Sequence, residues 1–417
     1  MPNKPLKMLL VIGDGMADRP IKELNYKTPL EIANTPNMDE LASKGITGIM
    51  DVIEPGIPPG SAPAHLAILG YDPYETYTGR GAFEALGVGL ELNDKDIAFR
   101  CNFATVDNEM KVIDRRAGRY IEEAPELAKL INEIHLDSAP DIQIIFKHTT
   151  EHRAVLIFRG KSLSHMISNT DPGKTGLKVL TSKPLINDPS AIKTANALNE
   201  FTLKTYELLN NHPLNKKRID KGLPPANIIL CRGAGKLPKI KSVRDKFNIE
   251  AACIAGIPLI KGVCKALGFK VFNIPGATGG INSNLNAKAE AAIKAIREFD
   301  FILVSVKGTD AASHDGSIND KIRMIERIDE MIGKILNAIS MDEICIAITA
   351  DHATPISVRD HVGDPVPILI SAPTIIPDEV SSFNEREVLK GGLGRIRGLN
   401  LMPLMLNYSL RSKKFGE

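Results

Sequence analysis

The chain has 417 residues, of which 43% are hydrophobic and 24% charged, a composition typical of a globular protein that excludes a disordered or fibrous one. This length predicts two domains, or a large α/β unit with an inserted domain. The 52 basic and 50 acidic side chains leave a net charge of +2, so the sequence predicts no nucleic-acid or membrane partner, and any anion must be bound by a local cluster.

The predicted elements alternate between short apolar strands and amphipathic helices. The first strand is KMLLVIG (7–13), which is too short to span a membrane, and two later strands are FDFILVSVKG (299–308) and EICIAITADH (343–352). Between these two, residues 318–340 have Ile and Met at helical spacing and predict a crossover helix. The alternation predicts an α/β fold with a mainly parallel sheet sandwiched by helices.

Asp and His side chains follow each of these three strands. They are Asp14, Asp310, His314, Asp351, His352 and, nine residues further on, His361. Because the carboxyl ends of parallel strands border one crevice, we expect these side chains to meet. Three carboxylates and three imidazoles suit two divalent transition metals, and they favour Mn²⁺ or Zn²⁺ over Ca²⁺.

A serine in the segment PPGSAPAHLAILG (58–70) is a candidate nucleophile. Ser61 precedes a helical pattern with Pro63 in its first turn, so free backbone N–H groups would face a phosphoryl group there. The alternative interpretation is a simple N-cap serine. A nearby metal pair favours the nucleophile, because metal ions activate a hydroxyl without a separate base.

The middle of the chain differs in composition from its two ends. It has more loops and more arginines next to apolar runs, and Gly-rich segments flank it at 70–89 and 273–284. We therefore expect an inserted second α/β domain over residues 81–282, and a discontinuous outer domain over residues 1–80 and 283–417. The five cysteines are scattered without a CxxC pair, which fits a reducing cytoplasm and indicates no thiolate zinc site.

The combination of motifs resembles a known family over essentially the whole chain. VIGDGMADRP, TPNMDELASKG, the serine at a helix start, TDAASHDG and ADHATP look like the alkaline phosphatase superfamily. With the arginine-rich insert they resemble the cofactor-independent phosphoglycerate mutases of the shorter, archaeal type. The resemblance implies an alkaline-phosphatase-like fold and the isomerisation of 3-phosphoglycerate to 2-phosphoglycerate in glycolysis and gluconeogenesis, through a phosphoserine intermediate and without 2,3-bisphosphoglycerate.

By this resemblance, Asp14, Ser61, Asp351 and His352 would hold one metal ion, and Asp310, His314 and His361 the other. Mn²⁺ and Zn²⁺ are expected first, with Co²⁺ and Mg²⁺ as further options. Lys307 would lie beside the transferring phosphoryl group and neutralise its charge. The candidates for binding the substrate are Arg100, Asn102, Arg115, Arg116, Arg119, Arg153, Asp171 and Arg232.

These arginines make physical sense because planar guanidinium groups match both carboxylate and phosphate. The chain departs from the longer bacterial form, whose Gly-Gly-Val-His-Ser-His stretch is replaced by FRCNFATVDN (99–108). We expect the role of its substrate-binding histidine to pass to Asn102 or Arg100, or to His148 or His152. Other functions stay open at this point. They are a metal-dependent phosphomonoesterase or a phosphotransferase acting on phosphoserine or homoserine phosphate, and a metabolite-binding module without activity. The oligomeric state is also open.

Overall fold

The computed structural model describes residues 4–414 and 416. The strands are β1 (Lys7–Gly13), β2 (Ile46–Asp51), β3 (Ile97–Val106), β4 (Val112–Asp114), β5 (Gln143–Thr150), β6 (Arg153–Arg159), β7 (Ile228–Lys236), β8 (Ala251–Ala255), β9 (Lys270–Val271), β10 (Phe301–Val306), β11 (Ile344–Thr349), β12 (Val366–Ser371) and β13 (Gly394–Arg397). The three strands predicted above correspond to β1, β10 and β11.

The helices agree with the predicted α/β class. They are α1 (Pro29–Ile32), α2 (Pro36–Ser43), α3 (Ser61–Ile68), α4 (Pro73–Thr76), α5 (Arg80–Gly87), α6 (Ala124–Ile131), α7 (Pro189–Asn210), α8 (Pro213–Asp220), α9 (Val243–Phe247), α10 (Pro258–Ala266), α11 (Leu285–Glu298), α12 (Gly308–Asp315), α13 (Ile318–Leu336) and α14 (Gly398–Tyr408). Short 3₁₀ turns lie at Lys22–Leu24, Met341–Glu343 and Glu387–Lys390. The predicted crossover helix is α13. None of the helices among the described residues is both long and apolar enough to cross a lipid bilayer.

The chain divides into two compact units. The first combines Met1–Tyr77 with Ile240–Glu417, and the second is Thr78–Lys239. We predicted residues 240–282 to lie in the insert, whereas the structure places them in the first unit. The reason is that AACIA forms β8, an entirely buried strand that pairs in parallel with β10. Its run of small apolar residues gave only a weak strand signal.

The first unit is built on a sheet whose described strands run in the order β13-β2-β12-β11-β1-β10-β8-β9. At its centre β1 pairs in parallel with both β10 and β11. These strands are almost completely buried, which explains why their sequences are continuous apolar runs. Two groups of helices cover the sheet, α13 with α1, α2, α11 and α12, and α3 with α10 and α14. The predicted parallel-rich sheet between helices is confirmed.

The second unit has an antiparallel sheet with the described order β4-β3-β6-β5, and β7 pairs antiparallel with β3 along the edge opposite β6. A cluster of aromatic rings supports it. Phe158 makes edge-to-face contacts with Phe99 and Phe201, and Phe103 makes one with Phe146. This rigid core fixes the backbone of β3, β6 and β7, whose polar side chains are considered below.

A buried ion pair joins the loops that follow β1 and β11. The Lys321 ammonium of α13 lies 2.8 Å from Asp18 Oδ2, and both side chains are fully buried. The same ammonium donates to the carbonyl oxygens of Ala17 at 3.2 Å and Thr354 at 3.1 Å. One cation therefore satisfies three acceptors from two loops.

Replacing Lys321 with Met should leave Asp18 buried without its counter-charge. We expect the Lys321→Met variant to lose about 3–5 kcal/mol of unfolding free energy, measured by urea denaturation. The control is Lys334→Met on the same helix, because Lys334 forms a half-exposed pair with Glu290 at 2.7 Å. That variant should lose no more than about 1 kcal/mol. Similar losses in both variants would contradict the role assigned to the buried pair.

Candidate metal centre

Three carboxylates converge at one edge of the first unit's sheet. Asp14 follows β1, Asp310 lies in α12 directly after β10, and Asp351 follows β11. Because β11, β1 and β10 are neighbouring parallel strands, their carboxyl ends meet at that edge. All three carboxylates are buried. The convergence predicted from the sequence is therefore present in the fold.

The first donor group consists of Asp14, Asp351, His352 and Ser61. His352 Nε2 lies 3.4 Å from Asp14 Oδ1, 3.5 Å from Asp351 Oδ1 and 3.4 Å from Ser61 Oγ. Two ligands about 2.1 Å from one ion at tetrahedral angles are separated by about 3.4 Å. The separations in this group match that expectation, so these four side chains fit a single divalent cation.

The second donor group surrounds one oxygen of Asp310. His314 Nε2 lies 3.3 Å and His361 Nε2 3.4 Å from Asp310 Oδ1. The rings of His352 and His361 stack with centroids 3.6 Å apart, and ligand atoms of His352, Asp310 and His361 lie within 4.8 Å of one another, so His352 lies close to both donor groups. The two groups are adjacent, as a pair of cations acting on one phosphoryl group requires.

Backbone carbonyls orient two of the imidazoles. His314 Nδ1 lies 2.7 Å from the carbonyl oxygen of Arg359, and His361 Nδ1 lies 2.8 Å from that of Pro59. A carbonyl only accepts, so Nδ1 carries a proton in both rings and Nε2 is the nitrogen that faces Asp310. Without a metal ion, the hydrogen bond to Asp310 raises the pKa of His314 to about 9, so a cation bound there would displace a proton from Nε2. A hydrogen bond of this kind is what usually fixes the tautomer of a metal-binding histidine.

The charge balance of the site favours bound cations. The Lys307 ammonium lies 2.9 Å from Asp14 Oδ1 and 2.7 Å from Asp310 Oδ2, and it is the basic side chain closest to both. Burial by itself would raise the pKa of Asp14, but Lys307 and His352 outweigh it and lower that pKa to about 2. Burial raises the pKa of Asp351 well above its usual range, and the Asp14 carboxylate adds to this effect.

Two buried oxygens of this site have no hydrogen-bond partner among the described residues, Asp14 Oδ2 and Asp351 Oδ2. Leaving a buried carboxylate oxygen unsatisfied is costly, and a cation would satisfy both atoms. The mixed oxygen and nitrogen donors suit transition metals such as Mn²⁺ or Zn²⁺. The residues therefore fit the divalent metals expected from the sequence.

Ser61 is the first residue of α3, and the N-cap position belongs to Gly60, which has no side chain to cap the helix. The N-cap interpretation of Ser61 is therefore wrong. Ser61 is mostly buried, and its hydroxyl lies among the donors of the first group. The helix start directs free backbone N–H groups toward the same region.

Two further residues of this site were not predicted from the sequence. His65 is buried, one helical turn after Ser61, with Nδ1 2.8 Å from the Ser61 carbonyl oxygen and 3.5 Å from Asp351 Oδ2. Gly15 has φ +66°, and its N–H donates to Asp351 Oδ1 at 3.1 Å. A side chain at this position would bring its Cβ to 2.8 Å from the Cβ of Asp310, so only glycine fits. The four-residue spacing from Ser61 was the available signal for His65, and the GDG turn was the signal for Gly15.

In the second unit, four of the predicted substrate-binding residues lie side by side. Directly opposed strand positions pair Arg100 of β3 with Arg232 of β7, and Asn102 of β3 with Arg153 of β6. Arg100 Nε, Arg232 Nε and Asn102 Oδ1 are buried without a hydrogen-bond partner among the described residues. These groups, which lack hydrogen bonds, suit an anionic, hydroxyl-bearing ligand.

The predicted substrate-binding arginines are called the arginine cluster below: Arg100, Arg115, Arg116, Arg119, Arg153 and Arg232. Carboxylates contact several of its members. Arg115 donates to both oxygens of Asp171 at 3.0 and 2.6 Å, and Arg232 Nε lies 3.8 Å from the same carboxylate. Glu151 lies between Arg119 and Arg153, at 3.1 and 3.3 Å. The acidic groups thereby keep the guanidinium groups in fixed orientations.

Two residues next to the arginine cluster were not predicted from the sequence. Arg80 donates to Glu84 at 3.0 Å within α5, and Arg100 lies 3.7 Å from the same carboxylate. The four-residue spacing of Arg80 and Glu84 was the signal that could have revealed them.

Burial lowers the pKa of His152, and neighbouring arginines, among them Arg116, lower it further to about 3, so His152 is neutral.

Comparisons with known proteins agree with this geometry. Residues 42–215 match the family model described as 2,3-bisphosphoglycerate-independent phosphoglycerate mutase. Proteins with that name from Ignicoccus hospitalis and Saccharolobus solfataricus are 51% and 48% identical, each over 99% of this chain and 100% of the relative. A solved protein from Pyrococcus horikoshii is 44% identical with a TM-score of 0.87, covering 99% of this chain and 100% of that one. The cofactor-independent phosphoglycerate mutase of Thermoplasma acidophilum is 36% identical with a TM-score of 0.69, covering 97% of this chain and 100% of that one.

Binding of Mn²⁺ should stabilise the metal-free protein. At a free concentration of about 100 times Kd, one site contributes about 2.7 kcal/mol, so Tm should rise by several degrees and fall again with a chelator. Asp351→Asn removes a buried carboxyl group that is crowded by Asp14 and Asp310, and we expect a higher Tm without metal and a smaller rise with Mn²⁺. Differential scanning calorimetry measures both. An equal Mn²⁺ response in the variant and the natural protein would contradict the assignment of Asp351 as a ligand.

Proposed function

Because the chain belongs to the 2,3-bisphosphoglycerate-independent phosphoglycerate mutases, we propose that Ser61, the two donor groups and the arginine cluster carry out the reaction of that family. This reaction interconverts 3-phosphoglycerate and 2-phosphoglycerate, an isomerisation of glycolysis and gluconeogenesis that uses no 2,3-bisphosphoglycerate. The observation that carries the proposal is the Ser61 hydroxyl 3.4 Å from His352 Nε2, among buried carboxylates. The cytoplasmic location stays a prediction from the sequence.

Ser61 acts as the nucleophile in two displacements at one phosphorus atom. In the first, Ser61 Oγ gives up its proton and forms a bond to phosphorus, while the bond from phosphorus to the C3 oxygen of glycerate breaks and that oxygen gains a proton. The result is a phosphoserine and a bound glycerate. Glycerate then turns, its 2-hydroxyl loses its proton and bonds to the same phosphorus, and Ser61 Oγ departs and regains a proton. The two steps restore the protein and move the phosphoryl group by one carbon.

The charge that develops on the phosphoryl oxygens needs stabilisation throughout. Two divalent cations, held by the donor groups described above, would supply Lewis-acid charge at this position. Lys307 adds a fixed ammonium beside Asp14 and Asp310, and the N–H groups at the start of α3 add hydrogen-bond donors. We propose Mn²⁺ or Zn²⁺ as the metals, with Co²⁺ and Mg²⁺ as further options.

Glycerate must stay bound while it turns, because water would otherwise take the phosphoryl group. We assign this task to Arg100, Asn102, Arg115, Arg116, Arg119, Arg153, Asp171 and Arg232. Guanidinium groups bind carboxylates in a two-point geometry, and the unpaired Asn102 Oδ1 can accept a hydrogen bond from a hydroxyl group. The cluster thereby distinguishes a mutase from a phosphatase.

The central test is phosphorus NMR with 3-phosphoglycerate and Mn²⁺, in the absence of 2,3-bisphosphoglycerate. We expect 2-phosphoglycerate to form only when metal is present. Ser61→Ala should lower this turnover by at least about a thousandfold, because the nucleophile is absent. The fold and most of the Mn²⁺ content should remain, since three other ligands of that donor group are unchanged.

Two results would contradict the proposal in different ways. Release of inorganic phosphate alone would show that the site acts as a hydrolase. Appreciable mutase activity in Ser61→Ala, with no phosphoprotein required, would overturn the nucleophile assignment while leaving the metal centre in place.

The arginine cluster is tested by Arg232→Met. Losing one charged hydrogen-bonding group should lower kcat/KM for 3-phosphoglycerate by about 10–100-fold and increase the share of phosphate released to water. Lys129→Met is the charge-matched control, because Lys129 is an exposed residue on α6 of the same unit. An effect of equal size in the control would indicate that only net charge matters.

A further inference from the structure

Thr354 lies in the loop after β11 and touches both donor groups of the metal centre. Its hydroxyl oxygen is 2.8 Å from His352 Nδ1, in the first group, and 3.0 Å from Asp310 Oδ1, in the second. The residue is fully buried. Within the described chain, this hydroxyl provides a direct hydrogen-bonded link from one group to the other.

The directions of these two hydrogen bonds follow from the chemistry of the groups. The Asp310 carboxylate can only accept, so the single Thr354 proton is donated to it. The hydroxyl oxygen must then accept from His352, which places the imidazole proton on Nδ1. The Nε2 lone pair of His352 therefore faces Asp14, Asp351 and Ser61.

The surrounding structure holds the Thr354 hydroxyl in place. The backbone N–H of Thr354 donates to the carbonyl oxygen of Ala17 at 3.1 Å, and its carbonyl accepts from the Lys321 ammonium at 3.1 Å. Gly15 packs so closely that a Cβ there would lie 2.8 Å from Thr354 Oγ1. The hydroxyl therefore has little freedom to turn away from His352 and Asp310.

We propose that Thr354 is a positioning residue that links the two metal sites. A cation bound by His352 Nε2 strengthens the Nδ1–H donor, and this strengthens the hydrogen bond that Thr354 makes to Asp310. Filling one site therefore orders a ligand of the other. The inference rests on the proposed metal-dependent function, but it concerns how the metals are held and not which reaction follows.

The test is a calorimetric titration of the metal-free protein with Mn²⁺ alone. In Thr354→Val, which keeps the shape and removes the hydroxyl, we expect Mn²⁺ affinity to fall about 10–100-fold, as for other groups that orient metal ligands. Thr354→Ser should restore most of the affinity. Thr349→Val is the matched control, because the Thr349 hydroxyl is also buried but bonds to backbone carbonyls, at 2.9 Å to Pro367 and 3.3 Å to Ala350.

A second readout separates positioning from general destabilisation. Long-range proton–nitrogen NMR of the metal-free protein should show His352 protonated at Nδ1, and a mixture of tautomers in Thr354→Val, with the signal identified by its loss in His352→Gln. Should Thr354→Val not fold, Thr354→Ala removes the same hydroxyl without placing a methyl group against Asp310.

The outcomes distinguish this inference from the proposed function. Two-site Mn²⁺ binding that is unchanged in Thr354→Val, or equally weakened in Thr349→Val, would overturn the role of Thr354 and leave the metal centre intact. Absence of Mn²⁺ binding in the natural protein would overturn the metal-dependent function, and this inference with it.

Discussion

The constraint on which this molecule depends is the burial of three carboxylates at one edge of a sheet. Asp14, Asp310 and Asp351 lie within a region that is neutralised only in part by Lys307 and by His314, whose pKa the hydrogen bond to Asp310 raises to about 9. Burial raises the pKa of Asp351, and repulsion from the Asp14 carboxylate, strong away from water, raises it further. A folded protein retains such a cluster only where cations compensate it.

The architecture of the first unit holds these three carboxylates together. Parallel pairing of β1 with β10 and β11 brings three chain segments, far apart in sequence, to the same edge. The loops that follow these strands cannot be positioned by the sheet alone. The buried Asp18–Lys321 pair, the positive φ of Gly15 and the Thr354 hydroxyl each fix part of them. Stability and ligand geometry are therefore provided by the same contacts.

The second unit presents the opposite electrostatic arrangement. There the guanidinium groups outnumber the carboxylates of Glu84, Glu151 and Asp171, so positive charge gathers on adjacent strands. Burial lowers the pKa of His152, and this positive field, from Arg153 first, lowers it further. An anionic substrate would relieve the repulsion among the arginines, just as cations relieve that among the carboxylates. The binding groups of each unit therefore carry the charge opposite to that of the proposed ligand.

The sequence by itself determined the fold class and most of the metal centre. Apolar runs that end in Asp or His identify buried parallel strands and their ligand-bearing ends, because both the strand pattern and the position of the ligands are local properties of the chain. Only the tertiary structure decided the place of residues 240–282, the hydrogen bond from Thr354 to Asp310 and the approach of Arg100 to Glu84. These features depend on pairing and side-chain direction between distant segments, and no local pattern of residues encodes them.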